Sequence, residues 1–248
     1  MLASFDGAAS YFQFQSGGQL EVNDVPGSTF NYRLVTNAVY RDVSAWMHIV
    51  VAYDSTQGTD SNRLKLYVNG EQPSLGTATY PSLNFEPEVN STGSHKYGSY
   101  DDSTDFAFDG YFAEIVFIDG SQLDPTSFGE FDEDSGIWKP IDVSGLTFGN
   151  NGHYLDFEDS GNLGNDANGG TDFDENNITA IDQSTDTCTN NFATMSTPTW
   201  FDGTIANGGL TITTNQTSYR YQPSSIGVSS GKWYWEIKLT TRDEYALM

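Results

Sequence analysis

In several segments of this chain apolar residues recur at every second position, and no segment sustains a 3.6-residue period. A two-residue period belongs to strands with one face packed, so the pattern restricts the chain to β architecture. Residues 63–68, Arg-Leu-Lys-Leu-Tyr-Val, show it most cleanly. Leu64, Leu66 and Val68 share one face, while Arg63, Lys65 and Tyr67 share the other. Asn69-Gly70 follows, two residues that tolerate positive φ, so the spacing predicts a tight hairpin turn. Residues 46–53 alternate Ile49, Val51 and Tyr53 against His48, Val50 and Ala52. Both faces are largely apolar, which predicts a central strand. The polar stretch between these two strands predicts a solvated loop.

Further strands are expected at 11–15 and 19–24, around Gly17-Gly18, and at 28–35. The apolar run from Tyr111 to Ile118 predicts a long strand, broken only by Glu114, which must lie at an edge or be paired. Asp119-Gly120 marks the next turn. Helix is expected only as a single turn near residues 124–131, with Asp124 as cap and Pro125 opening it. Residues 208–215 predict another strand, and residues 229–240 a strong one. There Trp233, Trp235, Ile237 and Leu239 alternate with Lys232, Tyr234, Glu236 and Lys238. Trp46, Trp233 and Trp235 are expected in the core.

Composition changes along the chain. Residues 142–199 are rich in Gly, Asn, Asp and Thr and poor in aliphatics, so they cannot bury much alone. The expected organisation is a sandwich over 1–128, a polar linker or docked extended segment over 129–199, and an incomplete β segment over 200–248. Lys and Arg number 10 against 34 Asp and Glu, a formal charge of −24. That excess repels nucleic acid and anionic membranes. No run approaches the ~20 apolar residues of a membrane span. The opening residues lack the basic start and apolar stretch of a secretory leader. Cys188 is the single cysteine, so no intrachain disulfide is available.

Residues 40–70, with Trp46, His48, Asp54, Tyr67, Asn69 and Gly70, resemble the centre of laminin-G-like, concanavalin A-like lectin/glucanase domains. Residues 108–131 followed by Gly-Ile-Trp-Lys-Pro at 136–140 are similar to the end of such domains in phage virion and tail-fibre-like proteins. Residues 229–237 resemble the opening of a SPRY domain. The resemblance implies an all-β jelly-roll sandwich of two antiparallel sheets, and a full domain of the class needs more strands before Trp46 than the first 45 residues readily supply. It also implies a virion-associated adhesion or structural module, made without a signal peptide and carried on an extracellular particle. Its partners would be host-surface glycans or other virion proteins, with a homo-oligomer as a further expectation.

For sites, Tyr97, Tyr100 and Tyr111 are candidates for one sugar-stacking rim, since a lectin face pairs open rings with polar groups. Asp101, Asp102 and Asp105 form an acidic loop beside them, and oxygen ligands clustered in a loop suit Ca2+. Asp54 with Asp60, and Asp166 with Asp172 and Asp174, are weaker acidic groups, and none has EF-hand spacing. A glycosidase needs two carboxyls about 5–9 Å apart. No strand carries such a set: Glu114 and Asp119 would face opposite ways, and Asp156 and Glu158 lie in the polar segment. No nucleophile motif accompanies His48, and His95 and His153 stand alone in loops, so the expected role is binding without catalysis.

Overall fold

The computed structural model describes the chain except residues 8, 43–44, 101–105, 190–191, 196–202, 215–222, 228 and 242–248. It divides into two compact units, Met1–Asn177 and Ile178–Met248.

The first unit is antiparallel throughout. Strands β1 (Ala3–Phe5), β2 (Ser10–Phe14), β3 (Leu20–Asp24) and β4 (Tyr32–Thr36) precede Trp46. With β7 (Leu75–Thr79) and β8 (His95–Tyr97) they form one sheet in the order β7-β4-β3-β2-β1-β8. A second layer is the hairpin of β5 (Ile49–Tyr53) and β6 (Leu64–Val68). Leu20, Val22, Tyr32 and Leu34 from the sheet and Leu64 and Leu66 from the hairpin make the core, each at most 3% exposed. Ile49, Val51, Tyr53 and Val68 pack against it. The fold is thus the expected jelly-roll sandwich.

The predicted turn is present. Asn69 and Gly70 have φ of 50° and 81°, and Val68 and Glu71 exchange backbone hydrogen bonds at 2.8 and 3.1 Å. This is a two-residue turn with both central residues left-handed, matching the twist of the flanking strands. β5 is a correction, since it pairs only with β6 and is not central in a sheet. Its two apolar faces have another cause: Val50 and Ala52, on the face away from the core, are themselves buried. The loop between the strands also holds one helical turn, Asp60–Arg63. Arg63 ties that loop down by donating to the carbonyls of Gln57, Gly58 and Pro81 at 2.8–3.1 Å.

The long strand expected over 111–118 shrinks to β9 (Ile115–Phe117). Residues before it are held by ring packing, Phe108 on Phe112 at 4.7 Å, and not by a ladder. β9 pairs with β12 (His153–Leu155). A second short hairpin joins β10 (Gly129–Phe131) to β11 (Trp138–Pro140). A 3-10 turn, Pro125–Ser127, precedes it with Asp124 at the cap position, as the sequence indicates.

In the second unit, β13 (Gly203–Ala206) pairs with β14 (Thr211–Thr214). The strong strand expected over 229–240 is not formed. Those residues carry no ladder among the described residues, and Trp233, Trp235 and Ile237 are 65%, 71% and 52% exposed. Alternation gives a segment the right faces, but a strand also needs a neighbouring backbone to accept its hydrogen bonds. Trp233 and Trp235 therefore lie outside any core.

Candidate functional site

The hairpin turn places Gly70 beside a tryptophan from far along the chain. A methyl group on Gly70 would come within 2.3 Å of the Trp138 ring, and one on Gly129 within 2.6 Å. Trp138 is therefore seated against two glycines, Gly70 in the turn after β6 and Gly129 at the start of β10. Its indole Nε1 donates to His48 Nδ1 at 2.9 Å, and the two rings stack at 5.9 Å. That bond requires His48 to be neutral at Nδ1. Burial favours the same form, pushing the imidazole below its ordinary value.

Phe131 packs edge-on against Trp138 at 4.9 Å. The loop between them is closed by Asp132, whose carboxylate accepts from the Ser135 backbone and hydroxyl at 2.9 Å each and from Lys139 at 3.1 Å. These hydrogen bonds, the Ser135 backbone first, hold Asp132 well below the usual carboxylate range.

Together these elements make an open cleft of about 520 Å3. Tyr40, Trp46, Phe131, Ile137 and Trp138 supply its apolar surface, and Asn69, Glu71 and Gln72 its polar groups. Its size falls in the range of small-molecule sites, and aromatic walls with a few polar groups suit a hydroxylated ring. Trp46 lines this cleft and is only partly buried, which corrects its expected place in the core. A smaller, partly open pocket of about 170 Å3 is lined by Leu34, Leu64, Leu66, Leu75 and Tyr80 together with the polar Ser61, Asn62, Lys65 and Gln72.

The residues singled out from sequence are distributed differently. Tyr97, in β8, hydrogen-bonds His153 Nε2 at 2.7 Å and packs on Phe173 at 5.8 Å. Burial pushes its hydroxyl up. Tyr100 packs on Tyr11 and Phe106 at 5.8 and 5.4 Å. Tyr111 is 51% exposed. No ring contact joins the three among the described residues. Asp101, Asp102 and Asp105 lie outside the described residues.

The weaker acidic groups have structural work. Asp54 accepts from Thr56 and Gln57 within its own turn. Asp166 is 4% exposed and accepts from the backbone of Tyr154, Asn168 and Gly170 at 2.8–3.0 Å. Asp172 in turn accepts from the Asp166 backbone at 3.1 Å. Among the described residues no group of three His, Cys, Asp or Glu is placed to hold a metal ion. Pairing of β9 with β12 brings Glu114 and Asp156 to one end of that ladder. Burial, then the charges of Asp156, Glu158 and Asp142, raise the Glu114 carboxyl, against a lowering hydrogen bond from Tyr154.

The polar face of the six-stranded sheet is built around Glu21, which is 2% exposed. It accepts from Gln13, Gln15 and Arg33 at 2.9, 2.8 and 2.6 Å. Burial raises its carboxyl, but these donors outweigh that and leave it lowered. The carboxylate is fully engaged within the protein.

Residues 2–121 match a family model described as the concanavalin A-like lectin/glucanases superfamily. With the antiparallel sandwich, that match makes residues 2–121 similar to laminin-G-like, concanavalin A-like domains. No curated protein and no solved structure matches the chain. Phe131, Ile137 and Trp138 fall beyond the matched segment, so one wall of the cleft is added from outside it. The Gly-Ile-Trp-Lys-Pro stretch was the sequence signal for that wall, but nothing in local spacing pairs Trp138 with Gly70 or His48.

Proposed function

We propose that this protein is a non-enzymatic, lectin-like module that binds a surface glycan in the cleft between Trp46 and Trp138. The observation that carries the reading is the cleft itself, an open aromatic surface edged by Asn69, Glu71 and Gln72. Sugar rings present apolar C–H faces and equatorial hydroxyls, and such a surface meets both. The phage-like sequence at 108–140 supports a virion-associated setting, in a tail fibre or on a capsid. The acidic loop at Asp101, Asp102 and Asp105 supports Ca2+ as an auxiliary ligand.

The test is binding of the folded chain to a panel of bacterial surface polysaccharides, with Ca2+ and with chelator. The expected result is a glycan-specific signal that Trp46→Ala weakens about tenfold. A signal that survives chelator removes Ca2+ from the reading. Absence of any binding favours a second reading, an assembly module, which the exposed Trp233, Tyr234 and Trp235 support.

A further inference from the structure

We infer that the cleft receives an organic ammonium group, carried by the bound glycan as a free amine or as a methylated ammonium. The inference rests on the glycan-binding reading and names the chemistry that this same cleft selects.

Three observations converge on it. First, four aromatic rings, Tyr40, Trp46, Phe131 and Trp138, line one cleft. An aromatic face is electron-rich, and a cation within ~6 Å of its centroid is attracted to it, most strongly when the cation is weakly hydrated. Second, Glu71 is the single charged residue in the lining among the described residues. Its backbone is fixed by the Val68–Glu71 bridge that closes the turn. Its carboxylate has no hydrogen bond or ion pair among the described residues. An open aromatic surface with one unpaired carboxylate is complementary to a single positive charge with an apolar surface.

Third, no Lys or Arg lines the cleft among the described residues. The nearby Lys139 is occupied by Asp132 and Glu130 at 3.1 and 3.4 Å. The chain carries −24 overall, so uronic, sialic or sulfated polymers meet repulsion on approach and no counter-charge on arrival. The cleft therefore discriminates by charge, taking an ammonium-bearing sugar over its neutral counterpart and rejecting polyanions.

The experiment titrates the full chain with two ammonium probes and their uncharged partners, reading tryptophan fluorescence and heat. One pair is choline against its carbon isostere. The other is a chitosan oligomer against the same oligomer fully N-acetylated. At least one ammonium probe should bind about tenfold tighter than its neutral partner, and Glu71→Gln should cut that preference about fivefold. Which probe prefers the cleft tells amine from methylated ammonium. Glu71 is exposed and makes no structural contact, so its variant stays folded. Phe131→Ala should weaken both members of a pair. Equal binding of charged and neutral partners, or a preference that Glu71→Gln leaves intact, overturns the inference. Neutral oligosaccharide binding with no ammonium preference overturns it while leaving the glycan reading standing. Absence of binding by every probe and every polysaccharide overturns both.

Discussion

At the residue scale, the cleft depends on what two glycines lack. Gly70 is needed twice: its φ of 81° is left-handed, and its missing Cβ makes room for Trp138. Gly70→Ala is expected to cost about 1–3 kcal/mol from strain and overpacking. It should also displace the indole, so a blue or red shift in tryptophan emission should accompany the lower melting temperature. A Gly70→Ala protein with unchanged emission and stability would refute this seating. The turn at Asn69-Gly70 was legible in sequence because turn chemistry is local. The partner of Gly70 was not, because Trp138 arrives from a different hairpin.

At the element scale, the sandwich rests on β3 and β4 facing the β5–β6 hairpin. Leu34 is fully buried between them. Leu34→Ala should cost about 2–5 kcal/mol, measured by denaturant unfolding, because the methyl groups removed leave a cavity the sheet cannot close. A loss below about 1 kcal/mol would place the core elsewhere. Strand identity was readable at 11–15, 19–24 and 28–35, which β2, β3 and β4 overlap. It misled at 111–118 and 229–240, where apolar residues alternate but the neighbouring backbone decides how much ladder forms. For β9 that neighbour is β12, three residues long. For 229–240 no neighbour is present among the described residues.

At the scale of the whole molecule, two histidines join distant parts of the first unit in their neutral forms. His48 accepts from Trp138. His153, 8% exposed, bonds Tyr97 at 2.7 Å, stacks on Phe117 at 5.2 Å and contacts Phe173 at 4.7 Å. Burial lowers both below the ordinary value of 6.5; for His153, His95 adds to this, while the Asn151 carbonyl and Asp166 oppose it. A depressed histidine binds its proton more readily when unfolded. Its contribution is therefore complete above pH 6.5 and is lost as the pH falls below that value toward the folded-state pKa. The slope for one proton approaches about 1.4 kcal/mol per pH unit. Unfolding followed between pH 7.5 and about 5 should show this loss. His153→Gln should flatten it, and a wild-type slope in that variant would sink the assignment.

The sequence by itself determined what is local and periodic: an all-β chain, the inward face of β6, the left-handed turn at Asn69-Gly70 and the proline-led turn at 125. It also carried enough of the laminin-G-like pattern around Trp46 and Asn69 to indicate the superfamily. The tertiary structure decided everything that depends on residues distant in sequence. It removed Trp46 from the core and set Trp138 between two glycines. It joined His48 to an indole 90 positions away and left Glu71 unpaired beside aromatic rings. The physical reason is that hydrogen-bond ladders and alternation act over a few residues, whereas a binding cleft is made by side chains whose proximity is fixed only when separate hairpins pack.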